Sequence, residues 1–274
     1  MNIFESLIYG LISGLTEFLP VSSMGHQVIM KTLFGANQPE PLRDMLIHVS
    51  VLLAIIVSCG TYIEKLRRDQ KNGHRARRVR HIDSSTIYDL RVIKSAAFPM
   101  LLIMILRGFT AEMSGNLALI ALFFALNGLL IYMPEHLPHS NKNGSQMSAL
   151  DSILMGLCGA LSIFPGFSRV GCTLSCAITR GAEKQKALNW VLILSIPAIS
   201  MLLVFDFISM FSVGIGVLTF PIFLGYILSA IASFAAACSG IYIMRYIMFR
   251  SDVSFLGFYC WGVALLSFIL YLTT

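Results

Sequence analysis

Residues 14–30 read GLTEFLPVSSMGHQVIM, an apolar stretch whose centre is interrupted by polar and helix-breaking residues. Pro20 and Gly25 are the helix breakers. The polar side chains are those of Glu17, Ser22, Ser23 and His26. In lipid, non-helical backbone is tolerated only where protein or a water-filled cavity surrounds it. The stretch therefore predicts a re-entrant hairpin of two helices, because a simple membrane-crossing helix would not hold these residues.

The rest of the chain is far too apolar for a soluble domain. Of 274 residues, 56% are hydrophobic and 12% are charged, and the mean hydropathy is +0.77; soluble domains carry about 25% charged residues. The apolar stretches do not alternate as a β-barrel requires. Six of them are long enough to cross a bilayer as helices: 43–63, 90–108, 116–134, 187–208, 215–247 and 253–272. We therefore predict an all-α polytopic membrane protein in which residues 1–274 form a single integral-membrane domain.

A basic segment, residues 65–94, predicts the orientation of the chain in the membrane. It holds 10 of the 20 Lys and Arg residues. The positive-inside rule places it in the cytoplasm. Its charge favours contact with anionic membrane lipids, and nucleic-acid binding is a poor fit for a short loop between two spans. With this loop inside, the hairpin at the N-terminus opens on the outer side of the membrane.

A second broken apolar region, about 150–182, repeats the pattern of the first. GALSIFPGFSRVG (159–171) aligns with GLTEFLPVSSMGH (14–26) at an offset of 145 residues, which pairs Pro20 with Pro165 and Ser23 with Ser168. Chance similarity between two interrupted apolar segments is the alternative. Three spans follow each hairpin, so the halves 1–134 and 150–272 have opposite topology. Inverted repeats with broken helices predict a site near the membrane midplane, where the repeats meet.

The second loop, FPGFSRVGCT (164–173), has the residues of an anion site. Gly166 and Gly171 allow close backbone approach, and Ser168 is placed to cap the next helix, whose first amides favour an anion. Arg169 adds a planar set of donors suited to phosphate oxygens. The alternative is a structural ion pair between Arg169 and Glu17.

The first loop carries residue types that are typical of nucleophilic catalysis. Ser23 and His26 fall about one helical turn apart on one face, which fits a nucleophile and its base. Glu17 is placed to bind a divalent cation or to orient His26. Ser22 or Ser23 would more simply be a helix N-cap. Outside the loops, His48 is expected to make an interhelical hydrogen bond more readily than to face a cavity, and Asp206 to be solvated at a span end.

At these two loops the sequence resembles the undecaprenyl-diphosphate phosphatases, also called bacitracin-resistance proteins, and the similarity extends over the full length. The resemblance implies a bacterial inner-membrane protein with six spans and two inverted re-entrant hairpins. It implies hydrolysis of undecaprenyl diphosphate to undecaprenyl phosphate, which recycles the lipid carrier for peptidoglycan and other envelope polymers. It also implies a site on the periplasmic side and a need for a divalent cation, Mg²⁺ or Ca²⁺.

The resemblance also assigns roles to residues of the two motifs. Glu17 matches a glutamate with a metal or acid–base role, and Arg169 matches the arginine that binds the diphosphate. Ser23 matches a proposed nucleophile or phosphate ligand, and His26 a proposed nucleophile or base. The expected substrate contacts are completed by Ser22, Gly166, Ser168, Gly171 and Thr173.

Three positions depart from the family pattern. Ser13 stands where the family usually has an acid, and Met24 and Val170 stand where it usually has small hydroxyl residues. The carboxylate pair is therefore halved, which weakens the expected cation site unless Asp44 or Glu40 compensates. A flippase or transporter for a polyprenyl phosphate, with hydrolysis weak or lost, is the alternative function, and a non-catalytic lipid-binding protein is a third. A homodimer is expected as the oligomeric state.

Overall fold

The computed structural model describes residues 1–274 except 37, 77–84, 111–112, 114, 139, 216–217, 251 and 274. The regular secondary structure of the described part is helical, apart from one isolated β-bridge between Lys142 and Ala182. The α-helices are α1 (Ile3–Phe18), α2 (Ser23–Leu33), α3 (Pro41–Ser58), α4 (Gly60–Ala76), α5 (Ser85–Met104), α6 (Arg107–Thr110), α7 (Leu117–Tyr132), α8 (Ala149–Ala160), α9 (Arg169–Thr179), α10 (Lys184–Val213), α11 (Phe220–Arg250) and α12 (Phe255–Thr273).

Five of these helices are long and apolar enough to cross a membrane: α3, α7 with its extension to His136, α10, α11 and α12. They correspond to five of the six predicted spans. Helix α5 covers the sixth, but it carries Asp89, Arg91 and Lys94 in its first half and Pro99 inside it. The prediction of an all-α, multi-pass membrane protein is therefore confirmed at this level, and the crossing by α5 stays a prediction.

The two interrupted regions each form a pair of short helices. Helices α1 and α2 have 16 and 11 residues, and α8 and α9 have 12 and 11. All four are shorter than the roughly 20 residues that a crossing needs. Helix α1 ends at Phe18, two residues before Pro20, as expected because proline disfavours helical backbone in the residue before it. A short 3₁₀ turn, Leu161–Ile163, ends α8 in the same way before Pro165.

Small residues bring α1 and α11 into close contact. Gly10 and Gly14 on α1 face Ser229 and Ser233 on α11, and a Cβ atom added at either glycine would collide with the backbone carbonyl opposite. Both pairs are spaced four residues apart and so lie on one helix face. Small residues at this spacing let membrane helices approach until their backbones pack. Helix α1, which carries Glu17, is thus held firmly against a long helix.

We expect Gly14→Ala to destabilise this contact by about 2 kcal/mol, because the added methyl group has no space to enter. The matched control is Gly60→Ala, since Gly60 has no heavy atom within 4 Å of the added Cβ. In detergent, thermal unfolding should show the midpoint of Gly14→Ala lowered by roughly 5 °C relative to the control. Equal midpoints for the two variants would contradict the packing argument.

The helix contacts occur in matching pairs across the two halves of the chain. Helix α1 packs against α11, and α8 packs against α5. Likewise α3 contacts α11, and α10 contacts α5. Helices α3 and α10 contact each other, as do α7 and α12. The contacts match if α1 corresponds to α8, α3 to α10, α5 to α11 and α7 to α12. Exchanging each helix for its equivalent turns every one of these contacts into another of them.

The prediction of one long basic loop over 65–94 was wrong for most of its length. Helix α4 continues to Ala76 and α5 begins at Ser85, and residues 77–84 lie outside the described part. An ion pair one turn apart, between Glu64 and Arg68, supports α4 because side chains at this spacing are neighbours on a helix. Two basic residues bond to backbone carbonyls of other segments: Arg91 donates to the Met147 carbonyl at 2.8 Å, and Arg245 donates to the Ser58 carbonyl at 3.1 Å.

Candidate functional site

The loops of the two hairpins are hydrogen-bonded to each other. The Gly166 amide donates to Ser22 Oγ at 3.0 Å, and Ser168 Oγ donates to the Leu19 carbonyl at 3.2 Å. Each loop therefore satisfies a buried backbone group of the other. Buried backbone groups without partners are costly, so neither loop is complete alone.

Asn127, on α7, joins the same two loops through its side-chain amide. It accepts from the Ser168 amide at 2.9 Å and donates to the Pro20 carbonyl at 3.0 Å. Its side chain is fully buried. Asn127 was not predicted as a site residue, although its sequence position carries a signal. A lone polar side chain inside an apolar span usually has a partner in the interior of the helix bundle.

Both loops end in a serine that caps the following helix. Ser22 Oγ accepts from the Gly25 amide at 3.2 Å, and Ser168 Oγ accepts from the Gly171 amide at 3.1 Å. By this role Ser22, and not Ser23, is the equivalent of Ser168. The second loop is one residue longer between its proline and its cap, so the offset of 145 changes to 146. Ser22 also has a positive φ of 64°, a strained conformation for a residue other than glycine.

A polar cavity of about 50 Å³ lies where α1, α2, α3 and the second loop meet. Glu17 and Arg169 form an ion pair in its wall, and both side chains are at least nine-tenths buried. Ser23 and Ser168 also line it. The structure thus brings four predicted site residues from two halves of the chain to one cavity. The remaining lining residues are Thr16, Met24, Gln27, His48, Met104, Arg107, Ser162, Ile163, Phe167 and Leu202.

The two predicted glycines of the anion site serve the protein's own packing. Gly166 has a φ of +117°, and a Cβ there would meet the Phe123 side chain at 2.6 Å. A Cβ at Gly171 would meet Pro20 at 3.1 Å. Their amides already donate to Ser22 and Ser168. The amides left without an acceptor at the start of α9 are those of its first two residues, Arg169 and Val170, as in any helix.

Three further predicted site residues do not line the polar cavity: Ser22, Thr173 and His26. Thr173 is buried beside Gly159, and its Oγ1 atom has no hydrogen-bond partner. His26 is held on both sides of its ring: Nδ1 contacts the Ser22 carbonyl at 2.8 Å, and Nε2 contacts the Tyr259 hydroxyl at 2.8 Å.

The expected pairing of His26 with Ser23 is therefore not the arrangement observed. Ser23 Oγ contacts the Ser13 carbonyl at 3.3 Å and Gln27 Nε2 at 3.4 Å. One helical turn does separate Ser23 from His26, but Ser23 faces the cavity while His26 packs against Tyr259 of α12. Ring packing against α12, which the local spacing could not reveal, decides the direction of the imidazole.

A different histidine lines the polar cavity. His48, on α3, contacts Asp206 of α10 through its Nδ1 atom at 2.5 Å. The expected interhelical bond of His48 is thus present, and the same side chain also faces the cavity. The prediction that Asp206 is solvated was wrong, since it is 8% exposed. Helix α10 continues to Val213, five residues beyond the predicted end of the span, so Asp206 lies inside the helix.

Arg107 is a second arginine that lines the polar cavity. It was not predicted as a site residue, because it lies at the end of the predicted span 90–108. It begins the short helix α6 after the break that follows Met104. Thr110, at the end of α6, donates to the Ile163 carbonyl at 2.9 Å and so ties α6 to the second hairpin. Arg107 also lines a wider cavity of about 790 Å³, which shares Met24, Gln27 and Ile163 with the polar cavity.

The donors around the polar cavity do not fit a cation held by the protein alone. No group of three His, Cys, Asp or Glu side chains that could hold a metal occurs in the described part of the chain. Among the described residues of the lining, Glu17 is the single carboxylate, and Arg169 already neutralises it. Asp44 pairs with Lys31 and Glu40 with Arg43, and neither carboxylate lines the polar cavity. Ser13 Oγ, at the position where an acid was expected, is buried without a partner.

Comparisons with known proteins agree with the resemblance read from the loops. Residues 6–266 match the sequence model of the family described as bacitracin resistance protein BacA. The undecaprenyl-diphosphatase of Carboxydothermus hydrogenoformans is 29% identical over 97% of this chain and 97% of its own. The undecaprenyl-diphosphatase of Prochlorococcus marinus is 30% identical over 84% and 85%, and that of Methanococcus vannielii is 26% identical over 95% and 97%.

Proposed function

Because the chain belongs to the bacitracin resistance protein BacA family, we propose that it hydrolyses undecaprenyl diphosphate to undecaprenyl phosphate and inorganic phosphate. The relatives are undecaprenyl-diphosphatases by name, and the family model matches residues 6–266 of the chain. The structural observation that supports the proposal is the cavity itself. Glu17, Ser23, Ser168 and Arg169 come from two hairpins that lie about 145 residues apart and line one polar space.

The membrane arrangement that we propose has six spans and two re-entrant hairpins in an inverted repeat. The four hairpin helices are too short to cross alone. The matched contacts of α1 with α11 and of α8 with α5 support the repeat. The hydrogen bond from Arg91, in the basic segment that the positive-inside rule places in the cytoplasm, to the Met147 carbonyl supports a cytoplasmic start for α8. The protein then belongs in the bacterial inner membrane, with the site opening to the periplasmic side.

The diphosphate binds at the start of α9. Arg169 supplies a guanidinium that can bind phosphate oxygens in pairs, and the free amides of Arg169 and Val170 add donors at the positive end of the helix dipole. The hydroxyl of Ser168 is engaged with the backbone, so its part is to cap the helix and fix these amides. Donors held in place before the reaction stabilise the charge that develops on the transferred phosphoryl group.

Ser23 supplies the attacking oxygen, and His48 accepts its proton. The Ser23 oxygen attacks the terminal phosphorus, the bond to the bridging oxygen breaks, and undecaprenyl phosphate leaves with that oxygen. Asp206 holds Nδ1 of His48, which directs Nε2 toward the cavity for proton transfer. The proton that His48 took from Ser23 passes to the departing undecaprenyl phosphate, which leaves His48 free to act again. Water then attacks the phosphorus bound to Ser23, and His48 takes a proton from the water and returns it to the Ser23 oxygen as inorganic phosphate leaves. His26, which the resemblance favours as the base, instead orients the loop through the Ser22 carbonyl.

The requirement for Mg²⁺ or Ca²⁺ stays a prediction, and Glu17 is the carboxylate that such an ion would contact. The observed donors do not hold an ion by themselves, so a cation would have to enter with the diphosphate, as Mg²⁺ commonly does with substrate phosphates. The homodimer likewise stays a prediction. The flippase alternative is without support, because the relatives named above are diphosphatases by name.

The decisive experiment measures phosphate release from undecaprenyl diphosphate by the purified protein in detergent, across several divalent cations. We expect release to exceed that of the Arg169→Ala variant by a wide margin. A parallel assay in proteoliposomes follows labelled undecaprenyl phosphate between leaflets. Release no greater than that of Arg169→Ala would overturn the proposal, and lipid movement without release would favour the flippase.

A further inference from the structure

Arg107 has the features of a ligand-binding side chain rather than of a structural one. It forms no ion pair with any residue that the structure describes, and its Nη1 atom is buried without a hydrogen-bond partner. Buried charged groups are usually paired, because an unpaired one is costly. The other arginine of the cavity, Arg169, is already paired with Glu17. Among the described residues of the polar cavity, Arg107 is therefore the arginine without a direct ion-pair partner.

The position of Arg107 matches the shape of the available space. The polar cavity, at about 50 Å³, has room for a few water molecules. It shares Arg107 and three further lining residues with the wider cavity of about 790 Å³. A diphosphate with one phosphate beside Arg169 can therefore place its other phosphate beside Arg107.

The charges of the polar cavity point the same way. The lining residues that the structure describes include two guanidinium groups and one carboxylate, a net charge of +1 when His48 is neutral. A protein that binds its substrate through a cation held between two acids would have a negative net charge at this cavity. Ser13, where the family resemblance leads us to expect an acid, adds no negative charge.

We infer that Arg107 is a second diphosphate-binding residue, which contacts the phosphate that Arg169 does not reach. The inference rests on the proposed function and deepens it, since it makes the site selective for two linked phosphates over one. It also means that binding of the diphosphate does not depend on a divalent cation, so the predicted need for Mg²⁺ or Ca²⁺ concerns the hydrolysis step. Arg107 and Arg169 together supply the positive charge that such an ion would bring.

The test is a binding measurement that does not depend on turnover. Methylenediphosphonate and inorganic phosphate are titrated into the full-length protein in detergent with EDTA, and heat of binding is recorded. We expect Arg107→Ala to weaken diphosphonate binding roughly 10- to 100-fold, the usual effect of losing charge-assisted hydrogen bonds, and phosphate binding less than 3-fold. Arg107→Lys should fall between the wild type and Arg107→Ala, because it keeps the charge and loses the planar donor geometry.

Arg68→Ala is the matched control, since Arg68 is exposed on α4 and pairs with Glu64. It should bind like the wild type, and melting temperatures should show that all variants are folded. Unchanged diphosphonate binding by Arg107→Ala, an equal loss for both ligands, or no wild-type binding in EDTA would each overturn the inference. Phosphate release from the lipid by the wild type, with diphosphonate binding unchanged in Arg107→Ala, would support the proposed function and overturn the inference. Diphosphonate binding that depends on Arg107, without any phosphate release, would support the inference and overturn the proposed function.

Discussion

Replacing Arg169 with alanine should lower kcat/KM for undecaprenyl diphosphate by about 1000-fold, because the substitution removes a bidentate donor from the developing phosphoryl charge. Arg169→Lys should retain part of the activity, about 100-fold below the wild type, since lysine keeps the charge but not the fork of donors. Steady-state phosphate release, measured over a range of substrate concentrations, checks both values.

The same substitution also leaves Glu17 buried without its partner, which costs roughly 3–5 kcal/mol of stability. A double variant, Glu17→Gln with Arg169→Ala, separates the two effects. It should regain much of the lost thermal stability because the unpaired carboxylate is gone, and it should remain inactive. Recovery of hydrolysis in the double variant would show that the Glu17–Arg169 ion pair has only a structural role. That role is the alternative to phosphate binding that the sequence leaves open.

Replacing His48 with alanine should lower kcat by about 100- to 1000-fold, which is the usual contribution of a positioned base. His26→Ala should cost less than 10-fold, because His26 bonds to the Ser22 carbonyl and the Tyr259 hydroxyl outside the cavity. The two variants make the same chemical change in one protein. Each is therefore the control for the other.

Replacing Asp206 with asparagine provides the second readout. Asp206→Asn should lower kcat by a smaller factor than His48→Ala, because the imidazole remains but is no longer held by a carboxylate. A larger loss in His26→Ala than in His48→Ala would restore the assignment that the family resemblance favours.

The hairpins and their key residues could be predicted from the sequence because their signals are local. Proline and glycine break the helices at Pro20 and Pro165, and a serine followed by a helix start is a recognisable cap. The meeting of Glu17 with Arg169 followed from the repeat, since equivalent breaks in inverted halves converge. The extra residue between proline and cap in the second loop was not predictable. Aligning the two sequences compares residue types, and it does not show which serine caps the following helix.

The rest of the site depends on contacts between distant segments. Asp206 was misjudged because the end of α10 was placed five residues too early, and ends are the least reliable part of such a prediction. His26 and His48 could not be ranked because Tyr259 and Asp206, more than 150 residues away, determine which ring faces the cavity. Arg107 gave no signal beyond its position at the end of a span.

The strained backbone at Ser22 bears on how the protein is made. Its φ of 64° is maintained by hydrogen bonds that include one from Gly166, and strained residues persist only where their surroundings hold them. A ribosome synthesises Ser22 first and must add 144 residues before that partner exists. We expect the first hairpin to enter the membrane with an unformed loop, and the site to be assembled only when the second hairpin has been inserted.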